Sequence, residues 1–235
     1  MSEARHQAIA LEAFVAAGRH RSEEYGAWWG DPNGSPVLEP ILREWLWPAL
    51  TPSKTVLEIG AGGGRWSQYL IGHCRRAVLV DATPASEAAI RERYPWEGFR
   101  FLLSPDGALP DLPDLAVDYC WSFDTFVHFD PPLFAAYLKE LGRVLRPGGL
   151  LHLHYGERFD GVAPDSSDCW HYQDAHLLPT ATACGLEPTG RRLEIREGFG
   201  AVLVELRRAD HDQPDSVCCC GRTSEGRCPR CGQIV

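Results

Sequence analysis

Glu58 stands two residues before Gly60, and Gly62, Gly64 and then Arg65 follow in the stretch VLEIGAGGGRW, residues 56–66. Glycines at this spacing let a backbone turn approach a nucleotide-like ligand without Cβ collisions and adopt positive φ where required. The dinucleotide pattern G-x-G-x-x-G asks for glycine where Arg65 stands. A doubly charged pyrophosphate is welcomed by a helix amino terminus but not by an adjacent carboxylate, so Glu58 matches a cationic ligand better. The bland alternative is a tight turn that merely connects a strand to a helix.

Further acids and histidines follow in order along the chain. AVLVD ends in Asp81, placed to accept hydrogen bonds from a ribose diol, or equally to cap the following helix. Asp106 in SPDG comes after a third strand-like run and could meet an adenine amino group. WSFDTFVHF carries Asp124 and His128, and LLHLHYGE carries His152, His154 and Tyr155. His128 is the first candidate for a general base, since imidazole takes a hydroxyl or ammonium proton near neutral pH. Its plain alternative is a histidine hydrogen-bonded to a neighbouring loop. Asp124 and His154 complete the candidate catalytic set. His152 and His154 are alternate residues of one strand and share a face, which permits a metal pair with Asp124 as a third ligand. Histidines buried and hydrogen-bonded in a core are the commoner outcome.

These residues need a scaffold that brings strand ends together. TVLEIG, AVLVD, FRFLLS, LAVDYCWS and LLHLHY read as buried strands. GRWSQYLIGHC, PASEAAIRERY and PPLFAAYLKELGRVLRPGG read as helices, two of them opened by proline and the last closed by Pro-Gly-Gly. HYQDAHLLPTATACGL looks helical, and LEIREG with FGAVLVELRR looks like an antiparallel pair. The alternation predicts an α/β fold: a doubly wound, Rossmann-like, seven-stranded, mostly parallel sheet with an antiparallel last strand. Before it, residues 1–50 carry Ile9, Leu11, Phe14 and Val15 at near-helical spacing and then VLEPILREWLWPAL, helical until Pro48. They are expected to form an N-terminal helical lid. The main domain is expected over 51–208, a polar linker over 209–216 and a cysteine-rich unit over 217–235.

Composition narrows the function classes. The net charge of −9 would repel a phosphate backbone, and no Lys/Arg block with interleaved aromatics occurs, so nucleic acid is not an expected partner. No apolar stretch approaches the roughly 18 residues of a membrane span, and MSEARHQAIALEAF does not read as a signal peptide. Nine cysteines in a chain of 235 residues, five of them in the last eighteen, read as a metal knuckle in a reducing cytoplasm rather than a disulfide framework.

Taken in order, E-x-G-x-G-x-G, an acid ending the second strand, SPDG, VDYCWSFDTFVHF and LGRVLRPGGLLHLHY resemble the successive motifs of the class I S-adenosylmethionine-dependent methyltransferases. The resemblance runs over roughly residues 20–208. It implies that S-adenosyl-L-methionine is the cofactor, with Gly60, Gly62 and Gly64 along its methionine portion and Glu58 beside them. It further implies that Asp81 holds the ribose, Asp106 and Gly107 contact the adenine, and Phe123 adds a further contact. YGAWWGDP resembles the amino-terminal segment of small-molecule methyltransferases, which implies that Tyr25 and Trp29, next to Trp28, close over cofactor and acceptor. The acceptor is then expected to be a hydroxyl or amine of a small metabolite such as a sugar or natural product. Alternatives are a metalloid or protein acceptor, or a cofactor-binding protein without efficient chemistry.

The tail VCCCGRTSEGRCPRCGQIV ends in a C-P-x-C-G knuckle. Cys218, Cys220, Cys228 and Cys231 could supply the four thiolates of a structural zinc site, with Cys219 as a substitute, and the unit could recruit a protein partner. A tail with incidental thiols is the alternative. Cysteine pairs that would hold a metalloid near the main domain are not evident at Cys74, Cys120, Cys169 and Cys184.

Overall fold

A computed structural model of the chain describes residues 31–95, 98–157, 171–172, 174–195 and 201–210. Tyr25, Trp28 and Trp29 of the expected lid lie outside the described residues, as do Cys218, Cys219, Cys220, Cys228 and Cys231 of the expected knuckle.

The strands are β1 (Thr55–Ile59), β2 (Arg76–Asp81), β3 (Phe99–Leu103), β4 (Val117–Ser122), β5 (Leu145–Glu157), β6 (His171–Tyr172), β7 (Leu186–Ile195) and β8 (Ala201–Arg208). Their order across the sheet is β3-β2-β1-β4-β5-β8-β7, with the two-residue β6 added beside β5. All pairings from β3 to β5 are parallel, whereas β8 runs antiparallel to both β5 and β7. This is the expected doubly wound, mostly parallel sheet with an antiparallel last strand. β1 pairs with β2 on one side and β4 on the other, so the chain order reverses across β1 and β4. Such a reversal opens a crevice at the strands' carboxyl ends.

Helices cover both faces. They are α1 (Leu38–Ile41), a π-helical stretch (Leu42–Leu46), α2 (Trp47–Ala49), α3 (Ser67–Leu70), α4 (Pro84–Arg93), α5 (Pro131–Val144) and α6 (Asp174–Ala183). Leu133, Leu138 and Leu141 of α5 and Ala181 of α6 pack with Leu57, Cys120, Leu151 and Leu153 on one face. On the other face, Trp45, Leu46 and Trp66 pack with Val56, Tyr119, Trp121 and Leu203. Local chemistry starts these helices: Asp130 accepts from the Leu133 N–H at 2.9 Å before Pro131, and Thr83 accepts from the Ala85 N–H at 3.2 Å before Pro84.

Several boundaries differ from the sequence reading. The helix expected over GRWSQYLIGHC is a single turn, α3, because Ile71 already has extended backbone. α5 ends at Val144, and Pro147, Gly148 and Gly149 belong to the first part of β5. β7 begins at Leu186, earlier than expected, with a register shift between Pro188 and Arg192. Pro48 does not end its helix. It lies within α2, and the wide π turn before it accommodates a ring that would collide with the carbonyl four residues back. That carbonyl, Glu44 O, instead accepts from the Arg191 guanidinium at 2.6 Å, while Arg191 stacks over Trp45 at 4.0 Å.

Candidate cofactor site

The glycine turn leaves β1 at the switch point and is stitched to the end of β2. Gly60 N–H and Ala61 N–H both donate to Val80 O, at 2.8 and 3.1 Å. Gly62 N–H donates to Asp81 Oδ2 at 2.8 Å. Gly60 has φ of +79°, and a Cβ there would lie 2.0 Å from Thr125 Oγ1, so neither the conformation nor the space admits a larger residue. Gly64 likewise has φ of +87° with Tyr94 packed against it, and the Tyr94 hydroxyl donates to Gly64 O at 3.1 Å.

Glu58 is buried, and Ser67 Oγ donates to its Oε2 at 2.6 Å. Burial, opposed by that bond and reinforced by the nearby Asp81, pushes its carboxyl up to about 8. At pH 7 it is therefore largely neutral. Asp81 is buried too, and its pKa is raised by burial despite the backbone bonds it accepts from Gly62, Ala82 and Thr83. It ties the glycine turn to the start of the next loop, and the cap of α4 falls to Thr83. Asp106 is exposed and accepts from its own loop, at the Ala108 N–H. Gly107 is buried with φ of +81°, and a Cβ there would press on Ala136 and Tyr137 of α5.

Beyond β4 the chain turns at Phe123, Asp124 and Thr125, and these three line one cavity with Gly60 to Gly63, Arg65 and Trp66. Asp124 has φ of +60°, a conformation that Asp tolerates better than most residues. His154 holds it there: the Asp124 N–H donates to His154 Nδ1 at 3.1 Å, and the imidazole stacks on Phe123 with ring centroids 4.1 Å apart. With Nδ1 accepting, the neutral imidazole carries its proton on Nε2. Burial is the main cause that lowers the His154 pKa to about 4. The geometry thus gives His154 the work of fixing the cavity wall, with its basic lone pair already engaged.

His128 closes the short 3-10 turn Phe126–His128 and is exposed, and it is not part of the cavity lining. His152, 1% exposed, has both ring nitrogens engaged at 2.9 Å, with the Tyr119 hydroxyl and with Glu205 Oε2. It is a core histidine whose pKa burial lowers to about 4. The metal pair that alternation permitted is therefore not formed, and among the described residues no three His, Cys, Asp or Glu side chains converge on a metal site.

Sequence reasoning missed Arg65, Trp66 and Thr125 as parts of the site. Arg65 entered only as the residue that breaks the dinucleotide spacing, although a cation directly after a glycine turn was a legible signal. Its Nη1 stands 3.8 Å from Asp124 Oδ2. Upstream, Asp31 accepts a hydrogen bond from the Tyr69 hydroxyl and adds to the negative charge around Arg65.

Comparison with known proteins agrees with this geometry. Residues 57–153 match the family model described as a methyltransferase domain. An uncharacterized methyltransferase of Mycobacterium tuberculosis is 33% identical over 126 residues, 54% of this chain and 49% of the relative. The chain thus spans about half the length of that relative. A probable S-adenosylmethionine-dependent methyltransferase of Mycolicibacterium smegmatis is 34% identical over 178 residues, 68% of this chain and 66% of the relative. Among solved structures, the complex of the Haloferax volcanii Trm112 methyltransferase activator with a methyltransferase matches with a TM-score of 0.63 at 18% identity, covering 85% of this chain and 97% of that one. The [4+2]-cyclase SpnF matches with a TM-score of 0.62 at 16% identity, covering 79% and 87%. Residues 57–153 thus match a methyltransferase domain, and the fold, the switch-point glycine turn and the sequence relatives agree with that match.

Proposed function

We infer that the chain moves a methyl group from S-adenosylmethionine to a hydroxyl or amine of a small metabolite. The observation that carries this reading is one cavity at the β1/β4 switch point that joins the backbone of Gly60 to Gly63 with the Phe123–Thr125 wall. The residues present fit a sulfonium nucleoside. Glu58 is an acid that burial holds largely neutral and that a cationic ligand would suit, and Gly60 leaves no Cβ between the turn and Thr125. Gly60, Gly62 and Gly64 would border the methionine portion, Asp81 the ribose, and Asp106 with Gly107 the adenine.

When bound, the cofactor supplies an electrophilic methyl on a positively charged sulfur. The chain's own part is alignment, since in-line displacement gains most from fixed geometry. Phe123 and Trp66 exclude water on one side, and His154 fixes the turn that carries Asp124. His128, exposed beside that turn, is the proposed base for the acceptor proton. Calorimetry with S-adenosylmethionine tests the cofactor, and silence from the wild-type chain would sink the reading. A metabolite-extract screen with methyl-labelled cofactor then identifies the acceptor, and label appearing only in protein would overturn a small-molecule substrate.

A second reading is favoured by two structural neighbours. SpnF is a cyclase on this fold, and the Haloferax protein is complexed with an activator, so a cofactor-binding chain that works through a partner is also consistent. In that reading the tail recruits the partner, with Cys218, Cys220, Cys228 and Cys231 holding zinc. Metal analysis of the purified chain, before and after replacing Cys228 and Cys231 by serine, decides the zinc: absence of stoichiometric metal removes it.

A further inference from the structure

Between β3 and β4, residues 104–116 form neither helix nor strand, yet one face of α5 holds this loop along its length. Tyr137, Glu140 and Arg143 are spaced three apart, which sets them in a row on the helix. The Tyr137 hydroxyl donates to Ser104 O at 2.7 Å, and the Leu109 N–H donates to Glu140 Oε2 at 3.0 Å. The Arg143 guanidinium donates to Leu109 O at 2.8 Å and to Leu112 O and Asp114 Oδ1 at 2.7 Å each. It also donates to Glu140 at 2.7 and 3.2 Å, and that bonding holds the Glu140 carboxyl below its ordinary range.

Attachment alone does not call for so many bonds. Leu109 and Leu112 are 1% and 5% exposed and already bury the second half of the loop. What the guanidinium adds is shape, since its planar fork fixes two carbonyls and two carboxylates relative to one another. The loop's end is held against local preference. Leu115 has φ of +53°, unfavourable for leucine, while its N–H donates to Arg143 O and its carbonyl accepts from Arg146 Nε, both at 3.0 Å. At the other end the Ser104 N–H donates to Asp81 O at 2.9 Å, and Ser104 Oγ donates to Ala108 O at 2.8 Å. Asp106 and Gly107 lie between these anchors, and a Cβ on Gly107 would stand 3.0 Å from Ala136 Cβ.

None of the three α5 side chains lines the cavity at the glycine turn. We propose that Tyr137, Glu140 and Arg143 are positioning residues: this face of α5 shapes the loop that carries Asp106, and so sets which purine base the chain accepts. This rests on the donor reading given above, which sets Asp106 and Gly107 beside the adenine, and deepens it. A 6-amino purine donates to a carboxylate, whereas a 6-oxo purine turns a carbonyl toward it, so the choice depends on where the loop holds Asp106. Arg143 governs that place without touching the base.

Calorimetry on the full chain with S-adenosylhomocysteine and S-inosylhomocysteine, which carry a 6-amino and a 6-oxo purine, reads the choice as a ratio of affinities. Arg143→Gln is expected to weaken the adenosyl compound about tenfold and to leave the inosyl compound within about twofold, the size of one misplaced hydrogen bond. Arg143→Lys, which keeps the charge but not the planar fork, should fall between it and the wild type. Glu140→Gln should lower the ratio in the same direction, and these two milder variants carry the test if Arg143→Gln does not fold. Ile41→Ala, a core change on the opposite face of the sheet, should cost stability and leave the ratio unchanged. An unchanged ratio in the α5 variants, equal loss for both compounds, or a ratio that moves as far in Ile41→Ala overturns the positioning role. A wild-type chain that binds both compounds alike overturns it too and leaves the donor reading standing. Failure of the wild-type chain to bind either compound overturns the donor reading and the positioning role with it.

Discussion

The backbone N–H of Asp124 donates to Nδ1 of His154 at 3.1 Å, which couples a left-handed residue after β4 to a buried imidazole on β5. Strand register makes the bond available: Ser122 is opposite Leu153, so the chain leaving β4 passes directly over the next residue of β5. The same imidazole stacks on Phe123, and through Thr125 the turn reaches Gly60. The cavity wall is therefore a chain of contacts from β5 to the glycine turn.

Replacing His154 by Ala should remove a buried hydrogen bond and a ring stack, lowering stability by about 2–4 kcal/mol in chemical denaturation. His154→Gln, which can still accept through its amide oxygen, should retain more cofactor affinity than His154→Ala. Burial holds His154 at about 4 against an ordinary 6.5, so the stability it contributes is full above about 6.5 and is lost as pH falls toward 4. Equal S-adenosylhomocysteine affinity for the Ala and Gln variants would refute the positioning role.

Glu58 works in the opposite direction. Its carboxyl sits at about 8 in the folded chain against an ordinary 4.5, so its contribution to stability is full below about 4.5 and is lost as pH rises through 8. Glu58→Gln should raise ligand-free stability at pH 8 relative to pH 5, by on the order of 2–4 kcal/mol. A sulfonium bound nearby would favour the carboxylate, so binding S-adenosylmethionine at pH 7 should release a fraction of a proton. Calorimetry in buffers of different ionisation enthalpy reads that proton, and its persistence in Glu58→Gln would assign it elsewhere.

Gly60→Ala should lower stability by about 2 kcal/mol or more, since φ of +79° and the contact with Thr125 both oppose a Cβ. Thr125→Gly in the same chain should restore part of the loss by removing the colliding atoms. Strict additivity of the two changes would show that the contact is not the cause.

His128→Ala should leave S-adenosylhomocysteine affinity unchanged and, once an acceptor is identified, lower kcat by about 10²–10⁴ if His128 is the base. Turnover at the wild-type rate would remove it from the mechanism.

The order of elements, the parallel sheet and the glycine turn were legible because each is written in local pattern: apolar runs of strand length, Asp130-Pro131 and Thr83-Pro84 before helices, and glycines spaced as a ligand turn requires. Helix ends were less legible. Whether α3 ran for one turn or three, and whether Pro48 ended a helix, depended on the packing of Ile71 and on Arg191 reaching Glu44 O from a strand 147 residues away. The roles of the histidines were not legible. In sequence, His152 and His154 look alike, two residues apart on one strand. Across the sheet one meets Tyr119 and Glu205 and the other meets the Asp124 backbone. Sequence alone determined which backbone segment forms the turn after β1 and which charges accompany it, because glycine spacing and strand periodicity act over a few residues. Only the tertiary structure decided that Arg65, Trp66 and Asp124 share one wall and that His154 supports it, because those contacts join segments that the chain itself keeps about sixty or thirty residues apart.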